Sequence, residues 1–335
     1  MMNMSQIAQI VGVSVATVSR TFNQPEKVRA GLRNQILEVA RQNNYIYDAT
    51  AADLKRRKSK TIGVLFPTTI GPLFADTLMA IHEKIQERQM SLIFGNTKYN
   101  KAEEKRLVKQ FQERRIAGII FAGYGLGQER LILDLMAQNI SCVVTYDLLD
   151  DSDINYVGFD NFKAARDATN LLISMRHNKI GLIIGPYKKM GRILKRYKGY
   201  QQALKDNGIK FDPALVVSTE PGFLEGKQAM HQLLALPERP TAIFAVSDHL
   251  AVGALSSIKQ AGLKVPRDMS LVGFDGVEFA AYCDPPLTTV RVPAYEMGRL
   301  AAKILMDAID QDVRSPLQYC LDADLIVRKS CSELE

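Results

Sequence analysis

From Thr61 onward the chain alternates short apolar runs with longer stretches whose apolar residues recur every three or four positions. The short runs predict strands at Ile62–Phe66, Leu92–Gly95, Gly118–Ala122, Cys142–Tyr146, Val157–Phe159, Lys179–Ile184, Leu215–Ser218, Ala242–Val246, Leu271–Phe274 and Thr289–Val292. The longer stretches predict helices near 74–89, 101–114, 128–138, 162–176, 191–207, 224–235, 249–261 and 295–310. Near-continuous Val, Ile and Leu strands between amphipathic helices belong to parallel sheets covered on both faces. These strands are too many for one sheet and divide near residue 160. The expected fold is α/β: two doubly wound parallel-sheet subdomains with a cleft between them. Ligands in such folds sit beyond the carboxyl ends of the strands.

The first sixty residues have a different pattern. Ser5 offers an N-cap oxygen, Ile7, Ala8, Ile10 and Val11 follow at helical spacing, and Gly12 stops the helix. Ser14 caps a second helix that carries Val15, Ala16, Thr17, Ser19 and Arg20, with Val18 and Phe22 facing back toward the first. Two short helices about a Gly-centred turn form a helix-turn-helix, whose second helix lies in a DNA major groove. A third helix is expected from about Ala30 to Asn43, with Leu32, Ile36, Leu37, Val39 and Ala40 as its apolar stripe and Tyr45 packing against the same core. Ala49 to Lys55 is too short for a stable isolated helix but can become helical on DNA. Leu54, an apolar residue among charges, then reads as a minor-groove wedge; the plainer alternative is a linker leucine resting on the next domain.

Charge favours the DNA reading over an ordinary helical hairpin at the edge of an enzyme. Residues 1–60 hold ten Lys+Arg against four Asp+Glu, whereas the whole chain of 335 residues is only +7. Nearly all the net charge therefore sits in the first fifth, as phosphate contacts require. The chain has no apolar run of membrane-spanning length, and its N-terminus turns polar within four residues with no signal-peptide hydrophobic region, so neither a membrane span nor a secretory signal is expected. Cys142, Cys283, Cys320 and Cys331 lack CxxC spacing and read as reduced thiols in a cytoplasm. No metal-ligand spacing, nucleophile elbow or Ser–His motif is present, so we expect neither a metal site nor an enzyme. A sugar-uptake binding protein is the main alternative for such a core, but it calls for a signal peptide and no basic headpiece.

The residues just past the strand ends supply the candidate ligand site. Asp160, Asp248 and Asp275 are carboxylates placed to accept from hydroxyls or ring N–H groups, although Asp160 and Asp248 also precede helices as caps. Thr68 lies in the same set, and Phe74, Tyr124 and Phe223 offer faces for a flat ligand. Gly185 to Gly199 carries only basic charges, among them Arg192 and Arg196; most suit a solvated helix face, and Arg196 is expected in the cleft. The Gly123–Gly127 run lacks the spacing of a phosphate loop and reads as a strand-to-helix turn.

Several motifs in one order, IAQIVGVSVATVSRTFNQPEKV, AADLKRRKSKTIGVL, VGFDNFKAA, RYKGYQQAL, SDHLAVGAL, GLKVPRDMSLVGFDG and PPLTTVRVP, resemble the lactose-repressor (LacI/GalR) family of bacterial transcription regulators. The resemblance implies a DNA-binding headpiece over 1–48, a hinge over 49–60, and a periplasmic-binding-protein-like core over 61–335 that forms a homodimer. The core would divide into about 61–160 plus 293–320, and 161–292 plus 321–335. By motif, Val15, Ala16 and Arg20 take base-reading positions. Ser5, Thr17, Ser19, Asn23 and Lys55 take backbone or adjacent contacts to double-stranded operator DNA, and Leu54 is the intercalating residue. Phe74, Asp160, Arg196, Asp248 and Asp275 fall where the family binds effector; with Thr68, Tyr124, Arg192 and Phe223 from the strand ends and basic stretch they would surround a small effector, with a sugar, sugar acid or phosphosugar ahead of a purine. The sequence departs from the family at Asn44–Asp48, at Ala52 and at Arg176, and its tail after Val327 lacks leucine heptads.

Overall fold

The computed structural model describes residues 2–47, 59–68, 72–125, 127–150, 152–186, 190–310 and 315–334. Leu54 and Lys55, with the rest of the expected hinge up to residue 58, lie outside the described residues. Two compact units are present, Met1–Ser59 and Lys60–Glu335.

The first unit contains three helices, α1 (Met4–Val11), α2 (Val15–Asn23) and α3 (Ala30–Gln42). Ile7, Ala8, Val18, Ile36 and Ala40 form its buried centre. The cap of α1 corrects the expectation. Asn3, not Ser5, accepts from the Gln6 amide, and the Gln6 side-chain oxygen accepts in turn from the Asn3 amide in a capping box. Ser5 is therefore an exposed residue inside the first turn. Gly12 closes α1 at φ 74°, where a side chain would be strained. Ile10 and Leu37 point outward, because each sits off the face its helix turns to the core.

In the second unit the strands are β1 (Thr61–Phe66), β2 (Ser91–Asn96), β3 (Gly118–Ala122), β4 (Ser141–Thr145), β5 (Asn155–Gly158), β6 (Ile180–Ile184), β7 (Val216–Ser218), β8 (Ala242–Ala245), β9 (Ser270–Asp275), β10 (Thr288–Arg291), β11 (Gln318–Cys320) and β12 (Asp324–Ile326). They form two six-stranded sheets, ordered β11-β5-β4-β3-β1-β2 and β12-β10-β9-β8-β6-β7. Every pairing is parallel except β10 with β12. The edge strands β11 and β12 were not expected from sequence. Each is three residues long; β11 is exposed throughout and β12 is half-buried, and both are too short to show a strand period.

The helices of this unit are α4 (Pro72–Gln86), α5 (Lys101–Glu113), α6 (Glu129–Ala137), α7 (Asn161–Ser174), α8 (Gly191–Asp206), α9 (Phe223–Leu234), α10 (Asp248–Gln260) and α11 (Ala294–Asp310). We call the lobe built on the first sheet the N-subdomain and the other the C-subdomain. The chain crosses from the first sheet to the second between β5 and α7. It returns after β10 and crosses again between β11 and β12, so neither lobe is continuous in sequence. At the end of α7, Arg176 takes a left-handed φ of 67° where the family resemblance led us to expect glycine. His177 beside it is buried, with one ring nitrogen 2.9 Å from the Thr241 hydroxyl and the other 3.0 Å from that of Ser270. Among the described residues no helix is long and apolar enough to cross a membrane.

Candidate DNA-binding surface and ligand cleft

The outward face of α2 is built by its cap. The Ser14 hydroxyl accepts from the Thr17 amide at 3.1 Å and lies 2.9 Å from the Thr17 hydroxyl. Val18 and Thr21 are buried, which rotates Val15, Ala16 and Arg20 into solvent on one face. Asn23 donates to the Ser19 carbonyl at 3.0 Å, so these two polar residues are held together at the helix end. Phe22 stacks on Tyr47 with centroids 5.0 Å apart and meets Tyr45 at 5.8 Å, which anchors the helix from behind. The surface offers methyl groups from Val15 and Ala16 and one guanidinium from Arg20. Those groups suit thymine methyls and a guanine edge respectively.

In the second unit two neighbouring cavities lie at the strand ends. The inner one, of about 80 Å³, lies between the lobes. It takes Thr68, Phe74 and Tyr99 from the N-subdomain, and Met190, Arg192, Arg196 and Asp275 from the C-subdomain. The outer one, of about 470 Å³, lies mainly within the N-subdomain and contains Tyr124. Tyr99, Met190 and Arg192 line both. Tyr99 and Met190 were missed from sequence. Tyr99 follows the end of β2 in a turn with φ 53°, and a search of every strand end would have reached it. Met190 gave no signal, being an apolar residue in a basic run.

Arg196 is the electrostatic centre of the inner cavity. Its Nε donates to Asn161 Oδ1 at 2.9 Å and its Nη1 to the Val246 carbonyl at 2.8 Å. Its guanidinium carbon stands 3.7 Å from the centroid of the Phe274 ring, and Nη1 lies 3.7 Å from Asp275. Burial lowers the Arg196 pKa to about 10, opposed by the Asp275 charge. Burial likewise raises Asp275 to about 6, opposed by Arg196 and then Arg192. Asp275 holds φ 113°, a strained position for a residue with a side chain. Arg192 lies over Phe74, 5.9 Å from its centroid. Gly123 lies opposite it at φ 102°, a conformation that favours glycine, and a Cβ there would displace the Arg192 guanidinium.

Three of the expected residues lie elsewhere. Asp160 caps α7, accepting from the Lys163 amide at 2.9 Å, and the inward residue is the next one, Asn161. Phe223 is 48% exposed and packs with His249 and Phe279 on the outside of the C-subdomain. Asp248 is fully buried behind the cavity, because Ser247 takes the cap of α10 and turns the following residue toward β9. There it accepts from the Thr289 hydroxyl at 2.6 Å and the Val277 amide at 2.9 Å. The absence of a side chain at Gly273 leaves it room.

Burial, and then the Asp275 charge, raise Asp248 from 3.8 to about 8. A carboxyl raised in the folded state stabilises the fold while protonated, and that contribution disappears as pH climbs through the folded value. Stability of the wild-type core is therefore expected to fall between about pH 4 and pH 8 relative to Asp248→Asn. Melting curves across that range check this. The amide's own constant cost, from losing one accepting oxygen, does not change the slope; parallel curves would contradict the assignment.

The lobes are joined beside the cavities. Lys195 of α8 donates to Asp147 at 2.7 Å and to the Leu148 carbonyl at 2.5 Å, both just after β4. Gly125 of the β3–α6 turn forms an antiparallel backbone bridge with Met190. The run of glycines that read as a plain turn thus also carries a contact between lobes.

A basic three-helix unit with an exposed, capped second helix, joined to a two-lobed core with a cavity between the lobes, defines a ligand-responsive DNA-binding regulator. Residues 3–48 match the model for bacterial regulatory proteins of the lacI family, and 169–331 match a periplasmic binding protein-like domain. The chain is 35% identical over 332 residues to the HTH-type transcriptional repressor CytR of Escherichia coli strain K12, covering 99% of this chain and 96% of that protein. It is 30% identical over 336 residues to the ribose operon repressor of Haemophilus influenzae, covering all of both. The lac repressor dimer bound to operator and the anti-inducer ONPF superposes with a TM-score of 0.87 at 25% identity, over 99% of each chain. The chain belongs to the lacI family of transcription regulators.

Proposed function

We propose that this regulator acts in the cytoplasm as a homodimeric repressor. It sets two headpieces on a pseudo-palindromic operator, and its operator affinity is controlled by a small effector between the core lobes. It carries out no chemistry of its own. The observation that carries this reading is the outward face of α2, where Val15, Ala16 and Arg20 stand in solvent on a helix fixed by the Ser14 cap. The similarity to a repressor of a ribose operon supports a sugar or sugar derivative as effector, ahead of a purine. The Arg196–Asp275 pair supplies both a donor and an acceptor for hydroxyl groups. An effector shifts operator affinity only by binding the two core arrangements unequally, with a coupling of about 1–3 kcal/mol.

Selection of bound fragments from random DNA tests this reading. We expect inverted half-sites whose centres lie roughly one helical turn apart, about 10 bp. Recovery of single half-sites only, or of no preferred sequence, contradicts it.

A further inference from the structure

We propose, on the reading of this chain as an effector-controlled regulator, that the outer cavity is a second compartment that takes a phosphate monoester carried on a sugar or nucleoside. Size is the first argument. Ligand pockets typically run from about 300 to 1,000 Å³, and the outer cavity, at about 470 Å³, lies in that range. Position is the second. The outer cavity lies beyond the carboxyl ends of β1 and β3, the neighbours from which chain order runs outward in both directions, and such switch points are where doubly wound sheets bind ligands.

Charge decides the chemistry. Lys101, Lys105 and Arg192 line the cavity, against one carboxylate, Glu104. Glu104 already accepts from the Gln128 amide at 2.6 Å, so one of its oxygens is engaged within the protein. Arg192 is 6% exposed, yet among the described residues it forms no ion pair and no hydrogen bond. The Phe74 face and, at longer range, the Asp275 charge offset its positive charge, and its N–H donors are left for a ligand's oxyanion. The first amides of α5 are not the attraction, since the Asn100 side chain caps them. Tyr99 and Tyr124 line the same space and offer flat faces to a sugar or base.

The cavity is also wired to the contact between lobes. Gln128 connects Glu104 to the Gly125 amide, accepting from it at 2.8 Å, and Gly125 bridges to Met190 of the other lobe. A phosphate on Lys101 and Lys105 therefore shares its cavity with Glu104, whose partner Gln128 reaches that bridge.

Calorimetric titration of the full-length protein tests the proposal with three pairs of probes: ribose and ribose 5-phosphate, glucose and glucose 6-phosphate, uridine and uridine 5′-phosphate. Inorganic phosphate serves as a separate arm. In at least one pair the ester is expected to bind tenfold or more tightly than its unphosphorylated partner. The double variant Lys101→Ala/Lys105→Ala should remove that advantage, leaving affinity for the unphosphorylated partner and for operator DNA within twofold. Inorganic phosphate should bind more weakly than the ester. The proposal is overturned if no pair shows more than a threefold gain, if the gain survives in the double variant, or if inorganic phosphate binds as tightly as the ester. The regulator reading itself fails on a different result, loss of specific operator binding by the wild-type chain.

Discussion

Replacing Arg196 with alanine is expected to unfold the core on the order of 10 °C earlier than wild type, from a loss of about 3–5 kcal/mol. The side chain is 4% exposed and serves four partners at once: Asn161, the Val246 carbonyl, the Phe274 ring and Asp275. Alanine leaves a carbonyl and an amide oxygen unpaired and removes the cation nearest a buried carboxylate. It is the removal of one partner, rather than of the pair, that makes such a change severe. The deficit should also depend on pH. Asp275 already ionises with difficulty, at about 6, and without Arg196 it should do so less readily still. Its charge then penalises the variant most where it is ionised, so the gap between the melting temperatures should be wider at pH 8 than at pH 5. A small gap that is equal at both pH values would show that Arg196 is not the centre of the site.

Arg20→Ala is the second large effect, and it falls on DNA rather than on the fold. Arg20 is exposed on α2, so the melting temperature should stay close to that of wild type. A bidentate contact to guanine is worth about 1–3 kcal/mol of discrimination. The homodimer makes this contact once in each half-site, so operator affinity should fall by roughly thirtyfold to more than a thousandfold. The variant should also accept other bases at a single position of each half-site while keeping its preference elsewhere. Competition binding against operators altered one base pair at a time reads this directly. A uniform loss with every base preference intact would make Arg20 a phosphate contact instead.

The parallel strands were legible because both faces of each sheet are covered, which leaves unbroken runs such as Ile180–Ile184 and Gly118–Ala122. The edge strands β11 and β12 were not, since three residues paired along one side of a sheet are too few to show a period. Helix starts were found to within a residue or two, and that margin matters at a site. Asp160 and Asn161 are adjacent, but one caps α7 from outside and the other turns inward to Arg196. Ser247 and Asp248 divide the work in the same way at α10, and Asn3 rather than Ser5 takes the cap of α1. Composition says which residues can cap or bind, whereas the phase of the turn decides which one does. The basic run alone suited a solvated helix face, and the family motif around Arg196 is what pointed it into the cleft. Tyr99 depends on a left-handed turn that no residue in Thr97–Asn100 demands.

The central claim is that the basic headpiece holds DNA and the two-lobed core governs that hold. Gel-shift titration of the full-length chain against genomic fragments, with excess non-specific competitor and stepped salt, addresses it most directly. A discrete complex should persist at moderate salt, weaken linearly on a logarithmic salt scale, and vanish for a chain that begins at Thr61. Failure of the intact chain to retain any fragment over competitor, or equal retention by the shortened one, would contradict the account.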